Sequence, residues 1–174
     1  MSDIPFSRPI KVDPLPRGGL EQAIEANAQE RAALASLNGL PGIERLAARF
    51  DIVKWGRGVE VEGELTARVT QTCVVSLEPF EVDIDEPIAV KFLPPDAKPP
   101  QPASAAHDIE DEDAPDPLID GRIDLGAIAS EFLTLALDPY PRKPGVAFEP
   151  PGDAPAPDSP FSRLRALADR DEPD

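Results

Sequence analysis

Val59–Thr70 reads VEVEGELTARVT and is the most informative segment of this chain for its architecture. Apolar side chains alternate along it with charged or hydroxyl side chains. This period of two predicts a β-strand with one buried face and one solvated face. Gly63 falls on the apolar side, where a glycine indicates either a β-bulge or the close approach of another backbone.

The segments on either side of this strand predict an antiparallel meander. Residues 43–55 also alternate, and Trp55-Gly56-Arg57-Gly58 predicts the turn that joins them to Val59–Thr70. After a further turn the alternation resumes and runs from Phe80 to Phe92. Pro87 interrupts this third strand, so we expect a bulge or an edge position there.

Other segments predict a short strand and two helices. A weak alternation over residues 6–12 predicts the strand, and an apolar stripe from Leu20 to Leu37 predicts a helix that Asn38-Gly39 closes. Asp124 is typical of a helix N-cap, and Pro139 ends the helix that follows it. The expected apolar stripe of this second helix is Leu125, Ile128, Phe132, Leu135 and Ala136.

Proline is concentrated in two acidic regions, and these set the domain boundaries. Seven of the 23 prolines lie in residues 94–117, and eight lie in residues 139–160. The sequence therefore predicts one α+β domain over residues 1–148. In it, an antiparallel curved β-sheet of about four to six strands packs with two helices. Residues of about 94–117 are expected to be a disordered acidic insertion, and 149–174 an acidic Pro-rich tail with a short helix at about 160–169.

The charge balance limits the classes of partner. The formal net charge is −16, and it is concentrated in the insertion and the tail. A protein that neutralises RNA phosphates needs a basic face, and acidic tails would repel RNA unless they are displaced. No apolar run approaches the ~20 residues of a membrane span, and no signal-peptide pattern opens the chain. We therefore expect a cytoplasmic protein without a membrane partner.

Two motifs carry a family resemblance. The first is Gln71–Phe80, which reads QTCVVSLEPF. The second is Ile119–Lys143, with IDGRIDLG, then Glu131, then LTLALDPYPRK. In this order, with an acidic Pro-rich gap between them, they resemble the YceD family, also called the domain of unknown function 177 family. The resemblance covers roughly Pro5 to Phe148 and implies a role in accumulation of the large ribosomal RNA.

The single cysteine departs from that family's pattern. Many members read Cys-x-x-Cys with a basic residue between, whereas this chain has Cys73 followed by Ser76. A lone thiolate cannot build a tetrahedral zinc site, and the one histidine, His107, lies in the predicted insertion. We expect no metal, no disulfide, and a Cys73 that is a small buried residue near a strand end.

Four basic residues around the first hairpin are candidates for binding RNA or a partner: Arg45, Arg49, Lys54 and Arg57. The strand period places Arg45 and Arg49 on one face, and Trp55 adjoins Lys54. Basic residues beside an aromatic suit RNA. The favoured alternative is an ordinary solvated face whose cations lie opposite the acids of Glu60–Glu64.

The segment Asp138–Lys143, DPYPRK, is the other candidate. Its prolines hold the chain extended, so that Tyr140 could stack on a base while Arg142 and Lys143 meet phosphate. Equally, the segment could be a packed strap in which Tyr140 covers the sheet edge and Arg142 pairs with a carboxylate.

The sequence predicts no enzyme. No phosphate-binding loop, nucleophile motif or suitably spaced His or Lys partner accompanies the carboxylates, so no cofactor or small-molecule substrate is expected. The expected function is an accessory factor for large-subunit ribosomal RNA processing or accumulation, with direct binding to 23S rRNA as one route. The alternative is an adaptor that holds a basic ribosomal protein or assembly factor, its acidic segments shielding that partner.

Overall fold

The computed structural model describes residues 5–12, 14–98 and 114–148. The chain divides into two units, Met1–Pro144 and Gly145–Asp174. The described part of the second unit, residues 145–148, contains no helix or strand. In the first unit the elements follow in the order β1 Pro9–Lys11, β2 Leu20–Glu25, α1 Ala28–Leu37, β3 Gly42–Trp55, β4 Gly58–Thr72, β5 Pro79–Leu93, β6 Asp116–Pro117, β7 Arg122–Asp124 and α2 Leu125–Ala136.

The architecture is the expected α+β class, with a mostly antiparallel sheet and two helices. The main sheet has the strand order β2-β3-β4-β5-β6, in which only the β5–β6 pair is parallel. The three long strands β3, β4 and β5 form the predicted meander. The short strands β1 and β7 pair with each other in a second, two-stranded sheet.

The core lies against one face of the main sheet. Alternate residues of β3 and β4, such as Phe50, Val61 and Leu65, are buried there together with Leu34 of α1 and Leu133 of α2. This burial follows the period-two pattern that the sequence predicts, because the apolar side of each strand can leave water only on this face.

Gly63 and Pro87 each had two predicted explanations, and the structure selects one for each. A Cβ at Gly63 would lie 2.2 Å from the carbonyl oxygen of Arg49, so the glycine permits a close backbone approach. The β4–β5 ladder passes through the Pro87–Glu64 pair without a register shift. β5 pairs with β6 only at Phe92 and Leu93, so Pro87 occupies an edge position and no bulge.

The predicted helix over 20–37 is wrong in its first part. Leu20–Glu25 form β2, paired with residues 47–52 of β3. The helix begins only after Asn27, whose side chain accepts from the backbone of Gln29 and Glu30, while the Glu30 carboxylate accepts from the Asn27 backbone. This capping box is a strong helix start, and it separates the two elements. The predicted end is confirmed, since Asn38 is the C-cap.

Asp124 is confirmed as the N-cap of α2. Its Oδ1 accepts from the backbone N–H groups of Gly126 and Ala127, at 3.0 and 3.1 Å. The predicted stripe of α2 is wrong at Leu135, which is exposed, because Ala129 and Leu133 take the buried positions.

The predicted disorder of about 94–117 and the predicted helix at 160–169 fall largely or wholly outside the described residues. Asp116 and Pro117, near the end of that insertion, pair with Phe92 and Leu93 as β6. None of the helices in the described part of the chain is long and apolar enough to cross a membrane.

Candidate functional site

The face of the main sheet opposite the core is the candidate site. Paired residues of neighbouring antiparallel strands lie on the same side of a sheet, so the register assigns each residue of β2–β5 to a face. Apart from Gly58 at the start of β4, the paired residues opposite the buried set are exposed or half-buried. We call this side the open face. Its charged members are Glu21, Glu25, Arg45, Arg49, Asp51, Glu60, Glu62, Glu64, Arg68, Glu81, Asp83, Asp85 and Lys91.

The open face is acidic. Its nine carboxylates and four cations give it a formal charge of −5. Three of the carboxylates, Glu21, Asp51 and Glu62, lie directly opposite one another on β2, β3 and β4. Neighbouring strands are about 4.8 Å apart, and like charges placed directly opposite are destabilising. None of the ion pairs among the described residues involves this row.

A groove of about 810 Å³ crosses the open face beside this row. The small side chains of Ala47 and Thr66, which are paired in the sheet, lie in it. Arginines and carboxylates surround them in nearly equal number. The charged lining residues are Glu25, Arg31, Glu44, Arg45, Arg49, Glu64, Arg68, Asp83 and Asp85.

The arginines of the groove differ in their partners. Arg68 makes a two-point ion pair with Asp83, at 2.7 and 3.1 Å. This hydrogen-bonded pairing lowers the pKa of Asp83 and raises the pKa of Arg68. Arg45 and Arg49 take part in no ion pair with another described residue. Arg45 and Arg49 do share a face, as the sequence predicts, but Arg45 lies opposite Arg68 and only Arg49 lies opposite a carboxylate, that of Glu64.

The other two hairpin candidates lie elsewhere. The alternation along β3 places Lys54 on the same side of the sheet as the core-facing residues, and Arg49 on the other side. Arg57 forms an exposed ion pair with Asp96 at 3.0 Å. Trp55 is covered by Lys91, whose Nζ lies 5.3 Å from the ring centroid. The hairpin residues therefore do not form one basic site with an exposed aromatic.

The segment Asp138–Lys143 is held against the end of β4 and the turn after it. The carbonyl oxygen of Asp138 accepts from Nε2 of Gln71 at 3.2 Å, and that of Pro141 accepts from the backbone N–H of Val74 at 2.9 Å. Lys143 Nζ pairs with Glu78 Oε2 at 2.8 Å. The segment is therefore packed as a strap, but by its backbone and Lys143. Neither of the two contacts predicted for a strap, Tyr140 over the sheet edge and Arg142 on a carboxylate, is seen among the described residues.

Tyr140 and Arg142 remain accessible on this strap. Tyr140 is 72% exposed and covers no sheet edge, and its backbone N–H donates to Asp138 Oδ1 at 2.8 Å. Arg142 is exposed, and no ion pair within residues 5–12, 14–98 and 114–148 includes it. The strap thus fixes the backbone while leaving an aromatic ring and a guanidinium to solvent.

Cys73 lies beneath the strap and is fully buried. Its Sγ accepts from the backbone N–H of Ser76 at 3.4 Å. Hydrogen bonds from Ser76, and then from the Lys143 backbone, lower the pKa of the thiol to about 6, although burial opposes the charge. Within the described ranges, no three His, Cys, Asp or Glu side chains lie close enough to hold a metal ion.

Sequence reasoning missed most of the acidic site. The alternating Glu60, Glu62 and Glu64 were a visible signal, but their neighbours on β2 and β5 depend on the strand register. It also missed Arg31 and Arg68. Arg31 comes from α1, where its Nη1 donates to the carbonyl oxygen of Ala26, and only the tertiary structure brings it to the groove.

The chain is thus a small α+β protein whose mostly antiparallel sheet has one acidic face that the described residues leave uncovered. A family model described as "Large ribosomal RNA subunit accumulation protein YceD" matches residues 61–167. Since this match covers more than half of the chain, the protein belongs to the YceD family, which is linked to accumulation of the large-subunit ribosomal RNA. No curated protein and no solved structure matches the chain significantly.

Proposed function

We propose that this protein supports large-subunit ribosomal RNA accumulation as a non-enzymatic adaptor that binds a basic protein through its open face. The basic partner would be a ribosomal protein or an assembly factor. The adaptor holds this partner in a form that is competent for assembly. The large-subunit RNA then accumulates because its partner protein is supplied.

The observation that carries the proposal is the charge of the open face. RNA binding rests on cations that replace condensed counterions, and Arg45 and Arg49 would present an RNA strand with a surface of net negative charge. The same face attracts a basic protein. The row of Glu21, Asp51 and Glu62 offers that protein carboxylates that take part in no ion pair with another described residue. Such complementarity favours fast and selective association.

The test compares partners and variants directly. The immobilised full chain is offered the RNA-free proteins of the large subunit, and separately a 23S rRNA transcript, at physiological salt. We expect retention of a specific basic protein and little retention of the transcript. The double variant Asp51→Asn/Glu62→Gln should lose the protein, because it removes two charges of the row while keeping side-chain size.

A matched control is Glu131→Gln, which removes an exposed carboxylate from α2, outside the open face. It should bind like the wild type. In cells, deletion of the gene should reduce large-subunit RNA, and the double variant should fail to restore it. Normal levels of that RNA in the deletion strain, or protein binding that ignores the double variant, would refute the adaptor.

Direct RNA binding is the second candidate, and the strap favours it. Tyr140 and Arg142 are exposed two residues apart in a proline-held segment, a spacing that suits a stacked base and its phosphate. Under this candidate, Arg142→Ala/Lys143→Ala weakens binding of the transcript and reduces its salt dependence, while Arg17→Ala leaves both unchanged. Equal binding by the two variants would exclude the strap as an RNA site.

A further inference from the structure

β5 is the last long strand of the main sheet, and the described residues leave most of its outer side open. β6 pairs only with Phe92 and Leu93. Within the described residues, no backbone hydrogen bond other than those of the β4–β5 ladder reaches residues 80–86. A strand with unpaired N–H and C=O groups is a template for another extended chain.

Pro87 indicates which residues direct their backbone groups to this open side. The ladder is unbroken at Pro87 and Glu64, and proline has no N–H to donate to β4, so its nitrogen lies on the open side. Because a strand alternates with period two, Glu81, Asp83 and Asp85 share that orientation. Between Phe80 and Glu86, the available hydrogen-bonding groups therefore belong to three residues with exposed carboxylates.

These carboxylates discriminate between the chains that could add to the edge. A second copy of β5 would place like charges opposite each other, which is destabilising. The insertion that follows β5 is itself acidic, with Asp108 and residues 110–113 all carboxylates. A segment with Lys or Arg at alternate positions would instead set its cations against Glu81 and Asp85, on either side of Asp83, which already pairs with Arg68.

We propose that Phe80–Glu86 of β5 accept an extended, alternately basic segment of a protein partner as an added strand. The available edge spans about 23 Å, which suits an added strand of roughly seven residues. Pro87 ends the added strand, since it offers no N–H at that position. The inference rests on the proposed function, because it specifies how a basic partner docks beside the open face.

The test uses a defined probe, the heptapeptide Lys-Val-Lys-Val-Lys-Val-Lys, with the isotope-labelled full chain. Its matched control is the same peptide with methylated backbone nitrogens, which keeps the lysines and removes the N–H donors. We expect saturating peptide to slow amide exchange at Glu81, Asp83 and Asp85 by roughly tenfold, and the methylated peptide to bind roughly tenfold more weakly. Glu81→Gln/Asp85→Asn should weaken binding, and Glu131→Gln should not.

Three results would overturn the edge proposal: no binding of the peptide, equal binding of the methylated peptide, or protection at β2 in place of β5. Its failure is distinguishable from failure of the adaptor. If the ribosomal partner is lost with Asp51→Asn/Glu62→Gln but retained with Glu81→Gln/Asp85→Asn, only the edge proposal falls. If no large-subunit protein binds the wild type, the adaptor proposal is refuted, whether or not the peptide binds.

Discussion

Gly63 is the residue that allows β3 and β4 to approach closely. A Cβ there would lie 2.2 Å from the carbonyl oxygen of Arg49 and 3.2 Å from Cδ1 of Phe50. Because a backbone oxygen in a paired strand cannot move aside, Gly63→Ala should lower the free energy of unfolding by about 1–3 kcal/mol. Denaturant unfolding followed by the fluorescence of Trp55 measures this change.

Gly42 supplies the control for that substitution. It belongs to β3, and a Cβ there would meet no atom within 4 Å. Gly42→Ala should therefore shift the free energy of unfolding by less than about 0.5 kcal/mol. Similar losses at the two positions would show that general glycine effects, and not the close approach, are responsible.

Cys73 couples stability to pH near neutrality. Its folded-state pKa of about 6 lies below the ordinary value of 9.0, so the folded protein releases the proton first. The resulting stabilisation is complete above pH 9 and is lost as pH falls through about 6. We therefore expect the wild type to gain stability from pH 6 to 9 relative to Cys73→Ser. Unfolding curves at several pH values, with thiolate absorbance in the ultraviolet, test this.

A thiolate absorbance that appears only near pH 9 would contradict the hydrogen-bonded thiolate. So would parallel stability profiles for the wild type and Cys73→Ser. Either outcome would mean that burial outweighs the hydrogen bonds from the Ser76 side chain and from the backbones of Ser76 and Lys143.

Among the elements, α2 depends most visibly on one side chain. Asp124 caps the helix and also accepts from the backbone N–H of Arg8 at 2.7 Å, which ties β1 to the start of α2. Losing both the cap and the hydrogen bond from Arg8 should lower the free energy of unfolding more than the loss of a cap alone. We expect Asp124→Ala to lower the free energy of unfolding by about 2 kcal/mol, the upper end for helix caps.

Glu131→Ala is the matched control within α2. Glu131 is exposed, and its substitution removes a carboxylate just as Asp124→Ala does. Thermal unfolding by circular dichroism should show little change for it. If Asp124→Ala is equally benign, the cap and its tie to Arg8 contribute nothing measurable.

The elements also show where periodicity misleads. Residues 20–25 satisfy both a helical stripe and a strand alternation, since Leu20 and Ile24 fit either spacing. Pairing with β3 decided between them. The Asn27-x-x-Glu30 capping box was the local signal for a later helix start.

At the scale of the whole molecule, the open face retains charges that do not favour folding. Asp51 and Glu62 lie directly opposite each other, with Glu21 beside Asp51. Asp51→Asn/Glu62→Gln should therefore raise the free energy of unfolding by about 0.5 kcal/mol. The gain should shrink in high salt, because salt screens exposed charges. Denaturant unfolding at low and high ionic strength measures both effects.

Glu131→Gln should show neither the gain nor its salt dependence. A double variant that is less stable than the wild type would mean that the row is stabilised by contacts other than charge. The combination of higher stability with lost partner binding would distinguish a binding surface from a structural one.

The amino-acid sequence alone was enough to predict the three long strands, the cap at Asp124, the common face of Arg45 and Arg49, and the two family motifs. Each of these depends on neighbours along the chain, where side-chain period and backbone chemistry act locally. Three other features are visible only in the folded chain: Leu20–Glu25 is a strand, carboxylates from four strands share the open face, and Lys143 anchors the strap. Those features depend on register and on contacts between residues far apart in the chain, and a local pattern does not encode which distant residue lies opposite.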